Sequence, residues 1–122
     1  MSVDPTAEDI KRFIAEDDGG PVVMLNLLRY AGEEGKGSYQ RYAREVMPHL
    51  EQVGGEVLYA GDVSTTLVAP EGHDWDALLV VRYPSRKRFL DMVTSPDYQA
   101  ITQLRSDGLE TAVLEATTPW GG

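Results

Sequence analysis

The chain has 122 residues, no cysteine, and a formal charge of −9 from 11 basic and 20 acidic side chains. That length makes one domain, able to bury roughly two thirds of its unfolded surface without a disulfide or zinc staple. The acidic balance excludes a protein that grips nucleic-acid phosphates, and the missing cysteines exclude thiol catalysis, Cys-ligated zinc and iron–sulfur clusters.

The opening residues, MSVDPTAEDIKRF, are acidic and polar where an export signal is basic and then apolar. The longest nearly apolar run, Pro21 to Leu28, falls far short of the roughly 20 residues of a membrane span. A soluble, cytoplasmic protein with neither a membrane nor a nucleic-acid partner is expected. Thr6 followed by Asp9 is a weak capping box, and Ile10, Phe13 and Ile14 recur at helical spacing, so a helix is predicted over about 7–17. Gly19-Gly20-Pro21 stops it. Val22 to Tyr30, dense in branched and aliphatic side chains, reads as a buried strand. Residues 32–37, with three glycines and three charges, read as a loop that cannot pack. Ser38 then caps a helix running to Val53. Along it Tyr39, Tyr42, Val46, Leu50 and Val53 lie within about 60° of one another, Pro48 should kink the turn around Arg44, and Gly54-Gly55 ends the run.

Residues 56–60 form a short strand, 61–62 a turn or bulge, 63–69 a second extended stretch and 70–75 a loop. Ala77 to Tyr83 is almost wholly apolar and reads as another central strand. Ser85 caps a helix that turns Phe89, Leu90, Met92 and Val93 inward. Ser95-Pro96-Asp97 starts another, carried on by Tyr98, Ile101, Leu104 and Arg105 and closed by Gly108. Leu109 to Thr117 is the last strand. Without the first helix the order is βαββαβ, the pattern of an α+β ferredoxin-like sandwich.

Taken together, Tyr83-Pro84-Ser85, Phe89, Ser95-Pro96-Asp97-Tyr98 and Leu104-Arg105, with Tyr42 followed by Gly54-Gly55 and a strand, resemble the DUF1330 family of the dimeric α/β-barrel superfamily. The resemblance covers about residues 21–117, with residues 1–20 as a helical extension and 118–122 as a tail. It implies a homodimer in which two four-stranded sheets close into a barrel-like core. The wider superfamily holds cofactor-free monooxygenases, small-ring isomerases and polyketide cyclases. Two functions follow from it: a cofactor-independent enzyme acting on an apolar, oxygenated substrate, or a non-catalytic dimeric ligand-binding or stress-linked module. The residues themselves agree on pairing, since helices on one face of such a sheet leave its other apolar face open.

Asn26 is an amide in the middle of an apolar strand. It serves either to orient a ligand or stabilise an oxyanion, or simply to bond neighbouring backbone. His49 lies near Tyr42 and Glu45, with Glu45 at i−4 able to pair with it. It is a candidate general base or a solvated boundary residue. Tyr42, Arg82 and Arg105 form the candidate substrate-binding set: a hydroxyl donor and two cations for a carboxylate or enolate, the alternative for the arginines being salt bridges. His73-Asp74 is too short a string to define a metal site, and no metal or cofactor is expected. Walker, GxGxxG, GxSxG and HExxH motifs are absent.

Overall fold

In the computed structural model, which describes residues 3–121, the apolar run after Pro21 becomes the inner strand β1 (Val22–Tyr30). It pairs antiparallel with β3 (Ala77–Tyr83) on one side and β4 (Leu109–Thr117) on the other. Strand β2 (Glu56–Asp62) adds outside β3, giving the order β2-β3-β1-β4. The helices between β1 and β2, α2 (Gly32–Glu45) and α3 (Met47–Gln52), lie on one face of this sheet. So do α4 (Arg86–Val93), α5 (Pro96–Gln99) and α6 (Thr102–Gly108), which connect β3 to β4. This is the α+β ferredoxin-like arrangement, preceded by α1 (Ala7–Ala15).

Strand pleating divides the side chains between the two faces. Val22, Met24 and Leu28 of β1 and Val81 and Tyr83 of β3 are buried with Tyr39, Tyr42, Leu50, Phe89, Met92 and Tyr98 from the helices. The alternating residues, Val23, Leu25 and Leu27 of β1 with Leu78 and Val80 of β3, line the opposite face, which no helix among the described residues covers. Tyr59 of β2, opposite Val80, is 56% exposed there. Strand β2 carries one extra residue at Leu58, where the register shifts between Val57 and Tyr59.

Local signals explain most boundaries. Thr6 and Asp9 form a complete capping box for α1. Ser85 accepts the Arg88 amide at 3.1 Å and Ser95 accepts that of Tyr98 at 3.4 Å. Pro48 sits in the first turn of α3, so the helix predicted to run on to Val53 breaks at Val46 and restarts at Met47. Gly54 follows α3 at φ 76°, the conformation that favours glycine at a helix end.

Three expectations need correction. Residues 32–37 are not a loop but the first turns of α2, with Glu33 and Glu34 favourably placed at its positive end. The reason is tertiary. A Cβ at Gly35 would stand 2.8 Å from the Gly108 carbonyl oxygen, and one at Gly108 would stand 2.9 Å from the Gly35 oxygen. These glycines let two backbones touch, and Gly108 also accepts the Ala31 amide at 2.9 Å. Ser38, expected as a cap, is inside the helix and donates to the Leu104 carbonyl at 2.7 Å. Secondly, residues 61–62 are not a turn but the end of β2, paired with Leu78 and Ala77, and residues 63–69 form no strand. Val63 donates to the Asp76 carbonyl at 2.9 Å, beyond which the chain leaves the sheet with Leu67 and Val68 exposed. Thirdly, the helix begun at Ser95 stops at Gln99 and resumes at Thr102.

Candidate functional site

Between the helices and the inner face of the sheet lies a cavity of about 740 Å³. That volume suits a drug-sized molecule. Met24, Asn26, Leu79, Val81 and Leu114 line it from the sheet. From the helices come Tyr39, Tyr42, Leu50, Phe89, Tyr98 and Arg105. One end is closed by the N-terminal segment through Asp4, Pro5 and Ile10. Most of the wall is apolar. The polar residues that line it are the amides Asn26 and Gln99, a guanidinium, one paired carboxylate and several hydroxyls.

The hydroxyls of Tyr42 and Tyr98 are 2.7 Å apart. One donates to the other, so the acceptor keeps a proton to give elsewhere. Tyr39 and Tyr42 pack at 5.4 Å between ring centroids, and Tyr42 and Tyr98 at 6.3 Å. Burial holds the Tyr42 hydroxyl well above the ordinary tyrosine range, helped by the neighbouring Tyr98. Burial likewise pushes Tyr39 up to about 12, against the pull of the Arg105 charge. Tyr83 is raised by burial too. At neutral pH these three are hydrogen-bond donors, not bases.

Asn26 faces the cavity because it alternates with Leu25 and Leu27, which lie on the open face. Its Nδ2 donates to the Met24 carbonyl at 3.4 Å, a long and weak bond. Arg105 is buried against the N-terminal segment, where its Nη1 donates to the Val3 carbonyl at 2.7 Å and meets the Asp4 carboxylate at 3.1 Å. The structure thus brings Asn26, Tyr42 and Arg105 to one cavity.

It does not bring His49 or Arg82 there. His49 is outside the lining, its ring edge-on to Tyr98 at 6.1 Å. Glu45, expected to pair with it, instead accepts from Arg41 at 2.7 Å. Arg82 alternates with the cavity-facing Val81 and Tyr83 and therefore lies on the open face of the sheet. His73 accepts from the Trp75 indole at 3.3 Å, and Trp75 lies under the Arg29 guanidinium at 5.3 Å. Among the described residues no three His, Asp or Glu side chains gather as metal ligands, and no helix is long and apolar enough to cross a membrane.

Sequence reasoning treated Tyr39 and Tyr98 as undifferentiated core and gave Asp4 no role. Tyr98 is 56 residues from its partner Tyr42, a pairing that no local pattern encodes.

The model of the family described as "Domain of unknown function (DUF1330)" matches residues 34–116. The chain belongs to the DUF1330 family. A protein of unknown function from Rhodopseudomonas palustris is 31% identical, with 98% of each chain covered and a TM-score of 0.89. A hydroxynitrile lyase from Passiflora edulis shares the fold at 12% identity and a TM-score of 0.66, over 85% of this chain and 97% of that one. So does a dimeric ferredoxin-like protein of unknown function from Bacteroides fragilis, at 12% identity and a TM-score of 0.58, over 82% and 97% of the chains. No curated protein matches. The match to DUF1330 begins within α2, so β1, which carries Asn26, and the N-terminal residues over the cavity lie outside the matched segment.

Proposed function

We propose that this DUF1330 protein binds a small, largely apolar, oxygenated molecule in the cavity between its sheet and its helices, and does so as a pair of copies joined through their open sheet faces. The observation that carries the reading is the cavity itself. Its apolar wall holds a few converging donors: Asn26, the Tyr42–Tyr98 pair and Arg105. An apolar wall interrupted by a few polar groups is the usual make-up of a small-molecule site. The same donors could hydrogen-bond an enolate oxygen of a cofactor-independent isomerase or cyclase, but the protonated tyrosines supply no base to form one, so binding is the function these groups support.

Pairing rests on the uncovered face. Val23, Leu25, Leu27, Leu78 and Val80 form an apolar sheet surface, and a second copy of the same sheet is its natural cover. The dimeric neighbour from Bacteroides fragilis is consistent with that arrangement.

Calorimetric titration with the neutral probe 4-phenyl-1-butanol tests the cavity. Saturable binding at one site per chain is expected, and Ala43→Phe, which places a ring in the cavity, should abolish it without unfolding the protein. A wild-type protein that takes up no probe overturns the reading. Light scattering tests the pairing: twice the chain mass of 13.5 kDa is expected, and a particle of 13.5 kDa refutes it.

A further inference from the structure

Arg86 and Arg105 are the buried charged side chains among the described residues, and both turn a guanidinium to the N-terminal segment. Arg86 Nη1 donates to the Phe13 carbonyl at 2.8 Å, with its guanidinium 4.8 Å from the Phe13 ring. Arg105 holds Val3 and Asp4. Between these fastenings no residue of α1 is buried. A second hollow of about 480 Å³ runs beside the helix and shares Asp4, Pro5 and Ile10 with the main cavity. The segment is therefore a strap across the cavity end, tied at two arginines.

The Arg105 tie is the informative one. A guanidinium taken out of water must be met by oxygens. Its side chain is 10% exposed, whereas that of its carboxylate partner, Asp4, is 60% exposed and sits ahead of the first helix. Asp4 marks where an anionic oxygen rests on Arg105, at the end of an otherwise apolar space.

Building on the ligand-site reading above, we propose that the cavity takes an apolar monocarboxylic acid. Its carboxylate replaces that of Asp4 on Arg105, and its apolar body lies between Leu79, Val81 and Phe89. Trading one carboxylate for another leaves the charge on Arg105 balanced, and the released Asp4 is rehydrated. A neutral ligand has no means of driving that exchange. The hydroxyls of Tyr39 and Tyr42 line the same space and remain protonated, so they donate to an incoming anion instead of repelling it. Asp9 and Glu16 line the adjoining hollow, and salt weakens the repulsion that such exposed carboxylates exert on an incoming anion.

The test is calorimetric titration of the whole chain at pH 7 with 4-phenylbutyrate and with 4-phenyl-1-butanol, which share an apolar body. The acid should bind about tenfold more tightly, the worth of a charge-assisted hydrogen bond. Asp4→Asn should strengthen acid binding severalfold and so widen the preference of acid over alcohol. Arg105→Gln should erase the preference of acid over alcohol, with an unchanged far-ultraviolet circular dichroism spectrum showing that the chain is folded. Equal affinity for acid and alcohol overturns the carboxylate assignment and leaves the ligand site standing. An Asp4→Asn variant with unaltered acid affinity, or an Arg105→Gln variant that keeps the preference, also overturns the assignment. Binding of neither probe overturns the ligand site and this inference together.

Discussion

Glycine-to-alanine changes at Gly35 and Gly37, two residues apart in the same helix, should move stability in opposite directions. Intrinsic propensity makes either change favourable by up to about 1 kcal/mol, since alanine loses less backbone freedom on forming a helix. At Gly37 nothing lies within 4 Å of the added Cβ, so that gain should appear nearly whole. At Gly35 the Cβ would stand 2.8 Å from the Gly108 carbonyl oxygen and 2.8 Å from the Ala31 Cβ. Real contacts of this kind are not that close, so α2 and α6 must move apart. Overpacking of a well-fitted contact costs about 1–3 kcal/mol. The gap must open against the Ala31-to-Gly108 hydrogen bond of 2.9 Å and the Ser38-to-Leu104 bond of 2.7 Å, which tie the same surfaces. Subtracting the propensity gain leaves Gly35→Ala destabilised by up to about 2 kcal/mol. The two variants share the propensity gain, so they should differ by the overpacking cost, about 1–3 kcal/mol. Urea midpoints at one fixed protein concentration measure this, the concentration being held because the proposed pairing would add to apparent stability. A Gly35→Ala protein as stable as Gly37→Ala would refute the close-contact account of α2.

Removing the cap with Ser85→Ala should cost about 1 kcal/mol, read from thermal or urea unfolding. Tyr98→Phe strands the buried Tyr42 hydroxyl and should cost about 1–3 kcal/mol, while adding Tyr42→Phe should cost little more, because the second change removes the stranded group. Alkaline titration should also be revealing. Tyr39 ionises at about 12 in the folded chain against an ordinary tyrosine value of 10.0, so its contribution is fully present below about pH 10 and is lost as pH rises from there towards about 12, where the unfolded chain sheds its proton first. Unfolding temperature should fall across that window, and Tyr39→Phe should flatten the fall; an identical slope in both proteins would count against a buried, protonated Tyr39. On the open sheet face Val80→Lys should halve the mass seen by light scattering while leaving the far-ultraviolet circular dichroism intact, and a persisting dimer would place the contact elsewhere.

The four strands, the caps at Thr6, Ser85 and Ser95, the disturbance at Pro48 and the stop at Gly54 were all legible from residue order. Each depends on interactions within a few positions: alternation of apolar side chains, a hydroxyl three residues from an amide, a ring that removes a donor. The βαββαβ order followed from these, and the resemblance to DUF1330 followed from the same structural residues. Asn26 could be singled out because a polar amide in an apolar strand is conspicuous at sequence level.

Tertiary contact alone settled the rest. The glycines at 35 and 108 look like breakers, yet they allow α2 and α6 to meet backbone to backbone, and a chain lists its glycines without saying what faces them. The partition of Arg82 to the open face and Arg105 to the cavity depends on which face the helices cover. Tyr42 and Tyr98 share a hydrogen bond across 56 residues, and Arg105 reaches Asp4 across 101. Local propensity shapes the pieces because its interactions are short in sequence. A site is built from groups close in space and remote along the chain, so its membership is decided only when the pieces pack.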